Sequence, residues 1–211
     1  MLHKIFIKAS YIIIAFLILL SSCSTVMIDK RLKYNENMVL EEISSVDSSF
    51  NTLDSLLYVD ISRQSMYLLK KGTILRTFRI SSSYYGTGSE INSLKTPLGK
   101  HEIYKKIGQD LPINAILKGR VWNGSIANVI TDDIDTDFDH VTSRILWLDG
   151  LESGKNKGPG VDSRSRYIYI HGTAEEGLIG KPASDGCIRM YNSDVIDLFD
   201  LVNEKIQVWI Y

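Results

Sequence analysis

From Ser55 onward the apolar residues arrive in short runs, each closed by turn residues before a helix of three turns could form. Leu56-Leu57-Tyr58-Val59-Asp60-Ile61 gives way to Ser62-Arg63-Gln64-Ser65, Met66-Tyr67-Leu68-Leu69 to Lys70-Lys71-Gly72, and Thr73 then leads on to Ile80. Runs this short and this rich in β-branched and aromatic side chains predict an antiparallel meander. Thr96-Pro97-Leu98-Gly99 marks another turn before a strand over His101 to Lys105, and Arg144 to Leu148 is a further strand. Gly154 to Gly160 reads as a loop. Arg166 to His171 alternates aromatic and aliphatic residues, the pattern of a strand buried on both faces. One helix is signalled: Asn192 or Ser193 is placed to cap it, Asp194 falls in its first turn, and Val195, Leu198, Phe199 and Val202 share a face. Ile206 to Ile210 then alternates as a closing strand. The reading is mainly β with at least one packed helix, in one domain over residues 55–211.

The N-terminal segment is of another kind. Lys4 and Lys8 precede an unbroken apolar run from Tyr11 to Leu20, the layout of an export signal. The run is too short to cross a bilayer core, which takes about 20 apolar residues in a helix. Leu20-Ser21-Ser22-Cys23 resembles the lipobox of bacterial lipoproteins. That resemblance implies a signal peptide over 1–22, lipidation at Cys23, and a lipidated N-terminus and polar tether over 23–54. It also implies an exported lipoprotein of the cell envelope, facing the periplasm; Ser24 in place of Asp after the cysteine favours an outer-membrane anchor. Acyl chains each contribute about 0.8 kcal/mol per buried methylene, so several of them hold firmly. With 24 Lys+Arg against 25 Asp+Glu there is no basic footprint, which argues against nucleic acid as a partner.

Once Cys23 is assigned, Cys187 is the remaining thiol of the chain. In an oxidising compartment an unpaired thiol is either inert and buried or kept for its nucleophilicity. Its neighbours favour the second. Gly186 directly before it permits a tight bend that aims amide N–H groups at a developing oxyanion. His171 closes a strand, is followed by Gly172, and has a loop after it long enough to bring Cys187 back beside it. A thiol with a base and backbone donors is the equipment of covalent acyl transfer. His3 lies in the signal segment, and His101 and His140 have no comparable setting.

His171-Gly172-Thr173 followed by Ser184-Asp185-Gly186-Cys187-Ile188-Arg189 resembles the signature of the L,D-transpeptidase (YkuD-type) catalytic domain, in which a His precedes Ser/Thr-His-Gly-Cys-x-Arg/Asn. Tyr58 to Ile61 with Gln64 and Tyr67, the Gly72 hairpin, Arg76 to Ser81 and Thr96-Pro97-Leu98-Gly99 resemble the opening strands of that domain. The resemblance implies a β-sandwich with one or two packed helices and acyl transfer on peptidoglycan stem peptides. Cys187 would be the nucleophile and His171 the proton acceptor and donor. Gly172 would orient the imidazole or contribute to the oxyanion environment, and Gly186 would supply backbone to that environment. Ser184, Asp185 and Arg189 would contact substrate, Arg189 through a carboxylate or by bracing the loop. Asp185 departs from the family pattern, which has His there. A carboxylate beside a thiol raises the thiol pKa unless it stabilises the imidazolium instead; the expectation is that Asp185 attracts a cationic acceptor amine.

No cofactor or metal is expected. The acidic run Thr131 to His140 fails the EF-hand pattern, with Phe138 where Gly is needed and Arg144 where Glu is needed, and reads as a solvated loop. Gly172 to Gly177 has phosphate-loop spacing but Leu178 stands in place of Lys, and no Cys or His pair has zinc spacing. Trp122, Trp147 and Trp209 read as core or cleft wall, with Trp122, beside Arg120, a candidate for the substrate side. Two rivals stand beside the transpeptidase: an L,D-carboxypeptidase or stem-peptide hydrolase on the same fold, and a non-catalytic peptidoglycan-binding lipoprotein, against which the presence of both His171 and Cys187 argues. The residues leave the acceptor open among a second stem, a protein amine, a D-amino acid and water.

Overall fold

The computed structural model describes residues 36–136 and 138–211. The signal peptide expected over 1–22 and the expected lipidation site Cys23 lie outside the described residues. The chain divides into two units after Phe50. In the first, residues 36–46 are helical (α1), in the stretch that the sequence marks as a polar tether. Among the described residues no helix is long and apolar enough to cross a membrane.

The second unit is mainly β, as its short apolar runs require. Strands β1 (Ser55–Asp60), β2 (Ser65–Lys70) and β3 (Thr73–Arg79) form the expected meander. Then come β4 (Gly99–Ile107), β5 (Ala115–Lys118), β6 (Val121–Ile126), β7 (Val141–Gly150), β8 (Tyr169–Thr173), β9 (Ile188–Met190), helix α2 (Asn192–Leu201) and β10 (Gln207–Ile210). The sheet runs β3-β2-β1-β10-β4-β7-β5-β6, with β8 pairing β7 and β9. It is mixed: β10 lies parallel to β1, and β9 parallel to β8. Beyond β3, Ser81 pairs with Arg189 of β9 through reciprocal backbone bonds of 2.9 and 2.8 Å. This bridge joins the β3 end of the sheet to the β8–β9 branch around one core. Leu57, Val59, Met66 and Leu68 from one side meet Leu146, Leu148, Ile170, Ile188 and Met190 from the other, with Val195, Leu198 and Phe199 of α2 packed among them. Burial of these side chains, at about 1.5–3 kcal/mol each, is the main term opposing chain entropy.

Local details differ from the sequence reading where tertiary contacts override local pattern. The strand expected from Arg166 begins only at Tyr169, because Tyr167 takes a left-handed φ of 58° and turns the chain. The cap of α2 is Tyr191, without a side-chain bond, rather than Asn192 or Ser193. Asn192 is instead drawn into the core: its Oδ1 accepts from Thr142 Oγ1 and Ser143 Oγ, both at 2.6 Å, and its Nδ2 donates to the Thr173 carbonyl at 2.7 Å and to Glu176 at 2.8 Å. The β5–β6 hairpin was not anticipated from the sequence. Its two-residue turn, Gly119-Arg120, has φ of 58° and 69°, positive at both positions as in the type I′ turns that fit strand twist.

Candidate active site

Alternation along the strands sorts the site from the core. In β7 to β9 the even positions Leu146, Leu148, Ile170, Ile188 and Met190 face the main core. The odd positions face the other side, where Ile145, Trp147, Tyr169 and Cys187 gather with Leu117 of β5. The register places Ile145 opposite His171 and Trp147 opposite Tyr169, and pairs His171 with Arg189. Side chains two apart on a strand share a face, so His171 and Cys187 project to the same side. They stand one strand apart and offset by one pleat repeat, which sets their Cα atoms about 8 Å apart.

Cys187 sits where β9 begins, half-buried and in no disulfide. Its thiol donates to the Tyr167 carbonyl at 3.5 Å and accepts the Tyr169 N–H at 3.4 Å. Burial pushes the thiol up to about 12, the Tyr169 N–H bond and the charges of Arg189 and Arg166 pull the other way, and the Asp139 carboxylate adds to the rise. At neutral pH the group is therefore a thiol. The carboxylate that acts on it most strongly is Asp139, from the acidic loop, and not the adjacent Asp185.

His171 is fully buried, and its Nδ1 lies 2.7 Å from the Gly172 carbonyl. A carbonyl only accepts, so Nδ1 carries the proton and Nε2 presents a lone pair. That Nε2 has no hydrogen-bond partner although it is buried. Burial lowers the pKa of the ring, with the Arg189 charge adding to that and Asp139 and the Gly172 bond opposing it. The resting pair is thus neutral thiol and neutral imidazole, with the basic nitrogen unengaged.

The turn ahead of Cys187 is built from both sides. Gly186 has φ 119°, and a Cβ there would come 3.3 Å from the Lys95 carbonyl oxygen. Its own carbonyl accepts from Thr96 Oγ1 at 3.0 Å, while Thr96 Oγ1 accepts the Ser83 N–H at 3.0 Å. Ser184 is fully buried: its hydroxyl donates to the Cys187 carbonyl at 2.5 Å and accepts the Gly186 N–H at 3.3 Å. Ser184 therefore braces the turn from within. Gly172 is required for close approach, since a Cβ would lie 2.6 Å from Asn192 Oδ1. Asp185 is exposed and opens into a cleft of about 350 Å³ shared with Ile91, Leu94, Arg166 and Tyr167. Its carboxyl is raised in pKa by burial first and by Asp139 next.

Arg189 faces inward. Its Nη1 meets Glu175 at 2.8 Å and its Nη2 meets Asp139 at 2.9 Å, and Glu175 also accepts from the Thr136 N–H at 2.7 Å and its hydroxyl at 2.5 Å. Of the two expected roles, these contacts are those of a brace: they tie the acidic loop to β9. Trp122 is exposed and pairs in register with Leu117 of the thiol cluster, its Nε1 donating to the Ser125 carbonyl at 2.9 Å. Trp147 joins that cluster, edge-on to Tyr104 and Tyr169. Thr96, Glu175 and Asn192 contribute to the site without having been singled out as site residues; only the turn Thr96-Pro97-Leu98-Gly99 carried a local signal. Among the described residues no cluster of His, Cys, Asp and Glu is arranged to hold a metal.

Residues 54–210 match the family model of the YkuD L,D-transpeptidase catalytic domain. Two proteins of Bacillus subtilis share shorter stretches. The putative L,D-transpeptidase YkuD is 51% identical over 49 residues, 23% of this chain and 30% of its own length. The putative L,D-transpeptidase YqjB is 50% identical over 44 residues, 20% of this chain and 23% of its own. The chain thus matches less than a third of either relative. Among solved structures, an L,D-transpeptidase from Mycobacterium smegmatis aligns with TM-score 0.45 at 16% identity, over 75% of this chain and 58% of that one. L,D-transpeptidase 3 from Mycobacterium tuberculosis, in complex with a faropenem-derived adduct, aligns with TM-score 0.46 at 16% identity, over 74% and 60%.

Proposed function

The chain belongs to the L,D-transpeptidase catalytic domain family, and from that premise we propose that it transfers peptidoglycan stem peptides through a thioester on Cys187. The observation that carries the reading is the His171 imidazole: buried, fixed in its Nδ1–H tautomer by Gly172, with an unpartnered Nε2 on the face that bears the thiol. Nothing in a purely binding role calls for that arrangement.

In the proposed cycle, His171 Nε2 takes the Cys187 proton as sulfur attacks the carbonyl at the L-centre of the diamino acid in a tetrapeptide stem. The S–C bond forms, the C–N bond to the terminal D-Ala breaks, and the imidazolium returns its proton to the leaving amine. An acceptor amine then attacks the thioester, loses a proton to Nε2, and releases the thiol. Burial favours the neutral thiol at rest, so the proton passes to Nε2 before or as sulfur attacks. Asp185, exposed in its cleft beside the thiol turn, is the side chain offered to a cationic acceptor. The reading extends to the N-terminus: the Leu20-Ser21-Ser22-Cys23 lipobox supports an exported, periplasm-facing lipoprotein held to the outer membrane.

The test is intact-mass spectrometry of the full chain in detergent, with and without Cys187→Ala, after incubation with a disaccharide-tetrapeptide. A Cys187-dependent adduct that has lost D-Ala is expected, and cross-linked dimer in the product mixture. Tripeptide alone would assign the chain to the carboxypeptidases, and neither adduct nor product from folded, reduced protein would sink acyl transfer. Lipidation is read separately: an alkynyl fatty acid fed to producing cells should label the chain, and Cys23→Ala should abolish the label.

A further inference from the structure

We infer that Arg120 recognises a free carboxylate on the donor peptide, the terminal α-carboxylate of the residue expelled when Cys187 is acylated; this rests on the acyl-transfer reading above. In such a donor the negative charge lies two bonds beyond the scissile nitrogen, so its partner must be a cation beside the thiol with donors to give. Two arginines, Arg189 and Arg166, act on the Cys187 thiol, and a third, Arg120, contacts the two tyrosines whose backbone holds it. Arg189 is buried between Glu175 and Asp139 at 2.8 and 2.9 Å. Arg166 donates to the Gly88 and Lys95 carbonyls at 3.2 and 2.7 Å and to Ser93 Oγ at 3.4 Å. Arg120 donates from Nη1 to Tyr169 Oη at 3.2 Å and also hydrogen-bonds the Tyr167 side chain. No carboxylate of the described residues lies within ion-pair distance of it.

The residues beneath Arg120 are those that hold the thiol. Its guanidinium lies 4.8 Å from the ring centre of Trp147 and 4.9 Å from that of Tyr167. Tyr167 supplies the carbonyl, and Tyr169 the N–H, that contact Cys187 Sγ. Contact with two ring faces holds the guanidinium in place, and those of its five N–H donors not given to the two tyrosines are left for a carboxylate.

The experiment compares a tetrapeptide stem ending in a free carboxylate with the same stem as its C-terminal carboxamide, using the full chain in detergent. Wild type should form thioester faster with the acid, by on the order of 10- to 100-fold in kcat/KM, the range for a charge-assisted bidentate contact. Arg120→Gly suits the turn and should keep the thermal midpoint. It should lose that factor on the acid and nothing on the amide, and Arg120→Lys should fall between. Equal losses on both substrates would assign Arg120 to hairpin structure, and retained discrimination would assign the carboxylate elsewhere; either overturns the inference. Binding to Cys187→Ser separates recognition from chemistry. Arg120-dependent preference for the acid, with no acylation by wild type, would support the carboxylate site while sinking acyl transfer. Equal binding of acid and amide would overturn the site whatever the acylation result.

Discussion

Arg189 and Glu175 meet at 2.8 Å with side chains 2% and 1% exposed, joining the strand that follows the thiol to the loop that follows the imidazole. Removing one partner of a buried pair leaves the other charge uncompensated, at a cost of about 3–5 kcal/mol. Glu175→Ala should fall near the lower end, because Asp139 still pairs with Arg189, and should lower the urea midpoint markedly. A change under about 0.5 kcal/mol, the size of an ordinary surface substitution, would show that the pair contributes nothing net.

The thiol of Cys187, raised to about 12, makes a kinetic prediction. Alkylation by iodoacetamide should climb throughout the range from pH 7 to 10 without the plateau of a preformed thiolate. Asp139 raises this pKa, so Asp139→Asn should shift the profile to lower pH. The stability sign follows: a raised folded-state pKa means that the thiol's contribution is present below pH 9 and is lost as pH rises from about 9 towards about 12. A plateau at pH 7 in the wild type would refute the neutral pair.

Thr96 Oγ1 serves Gly186 and Ser83 at once. Thr96→Val keeps the shape but leaves a carbonyl and an N–H unsatisfied, at about 1–3 kcal/mol per group. Calorimetry should show a midpoint at least about 4 °C lower, at about 2–4 °C per kcal/mol for a domain of this size, with slower thioester formation as the turn loosens, while Thr96→Ser should stay close to wild type. Unchanged acylation in Thr96→Val would separate this bond from the chemistry.

His101 is buried with Nδ1 3.0 Å from the Gly99 carbonyl and Nε2 2.9 Å from Ser163 Oγ, and burial lowers its pKa to about 4. A depressed folded-state pKa means that its stability is present above pH 6.5 and is lost as pH falls to about 4, on the order of 3 kcal/mol in all. Its imidazole resonances should not titrate between pH 7 and 5. A midpoint near 6.5 in NMR would contradict the buried neutral ring.

Asp185→Asn should weaken use of an amine acceptor more than formation of the thioester, since the side chain lies exposed beside the thiol turn. Separate single-turnover acylation and acceptor-dependent deacylation rates decide this; equal losses in both would refute the acceptor role.

The sequence made the fold class legible because strand patterns are local. Short apolar runs with Gly and Asx turns admit little but a meander, and β1 to β3 follow it. The parallel pairings of β1 with β10 and β8 with β9 were not legible, since they join segments whose local patterns carry no sign of their partners. The β5–β6 hairpin was missed because β6 is exposed throughout and so has no alternation to read. Gly119-Arg120 was its one signal.

By itself the sequence determined the chemical inventory: a thiol after glycine, a histidine before glycine at a distance a loop can span, and an arginine two residues past the thiol. Tertiary structure alone decided how these groups are used. Which nitrogen of His171 is free depends on a carbonyl 2.7 Å away. Which carboxylate acts on the thiol depends on a loop folded back to Arg189, and which arginine keeps open donors depends on where the acidic partners lie. Proton position and charge pairing are properties of distance in space, and residues far apart along the chain set those distances only once the sheet has closed.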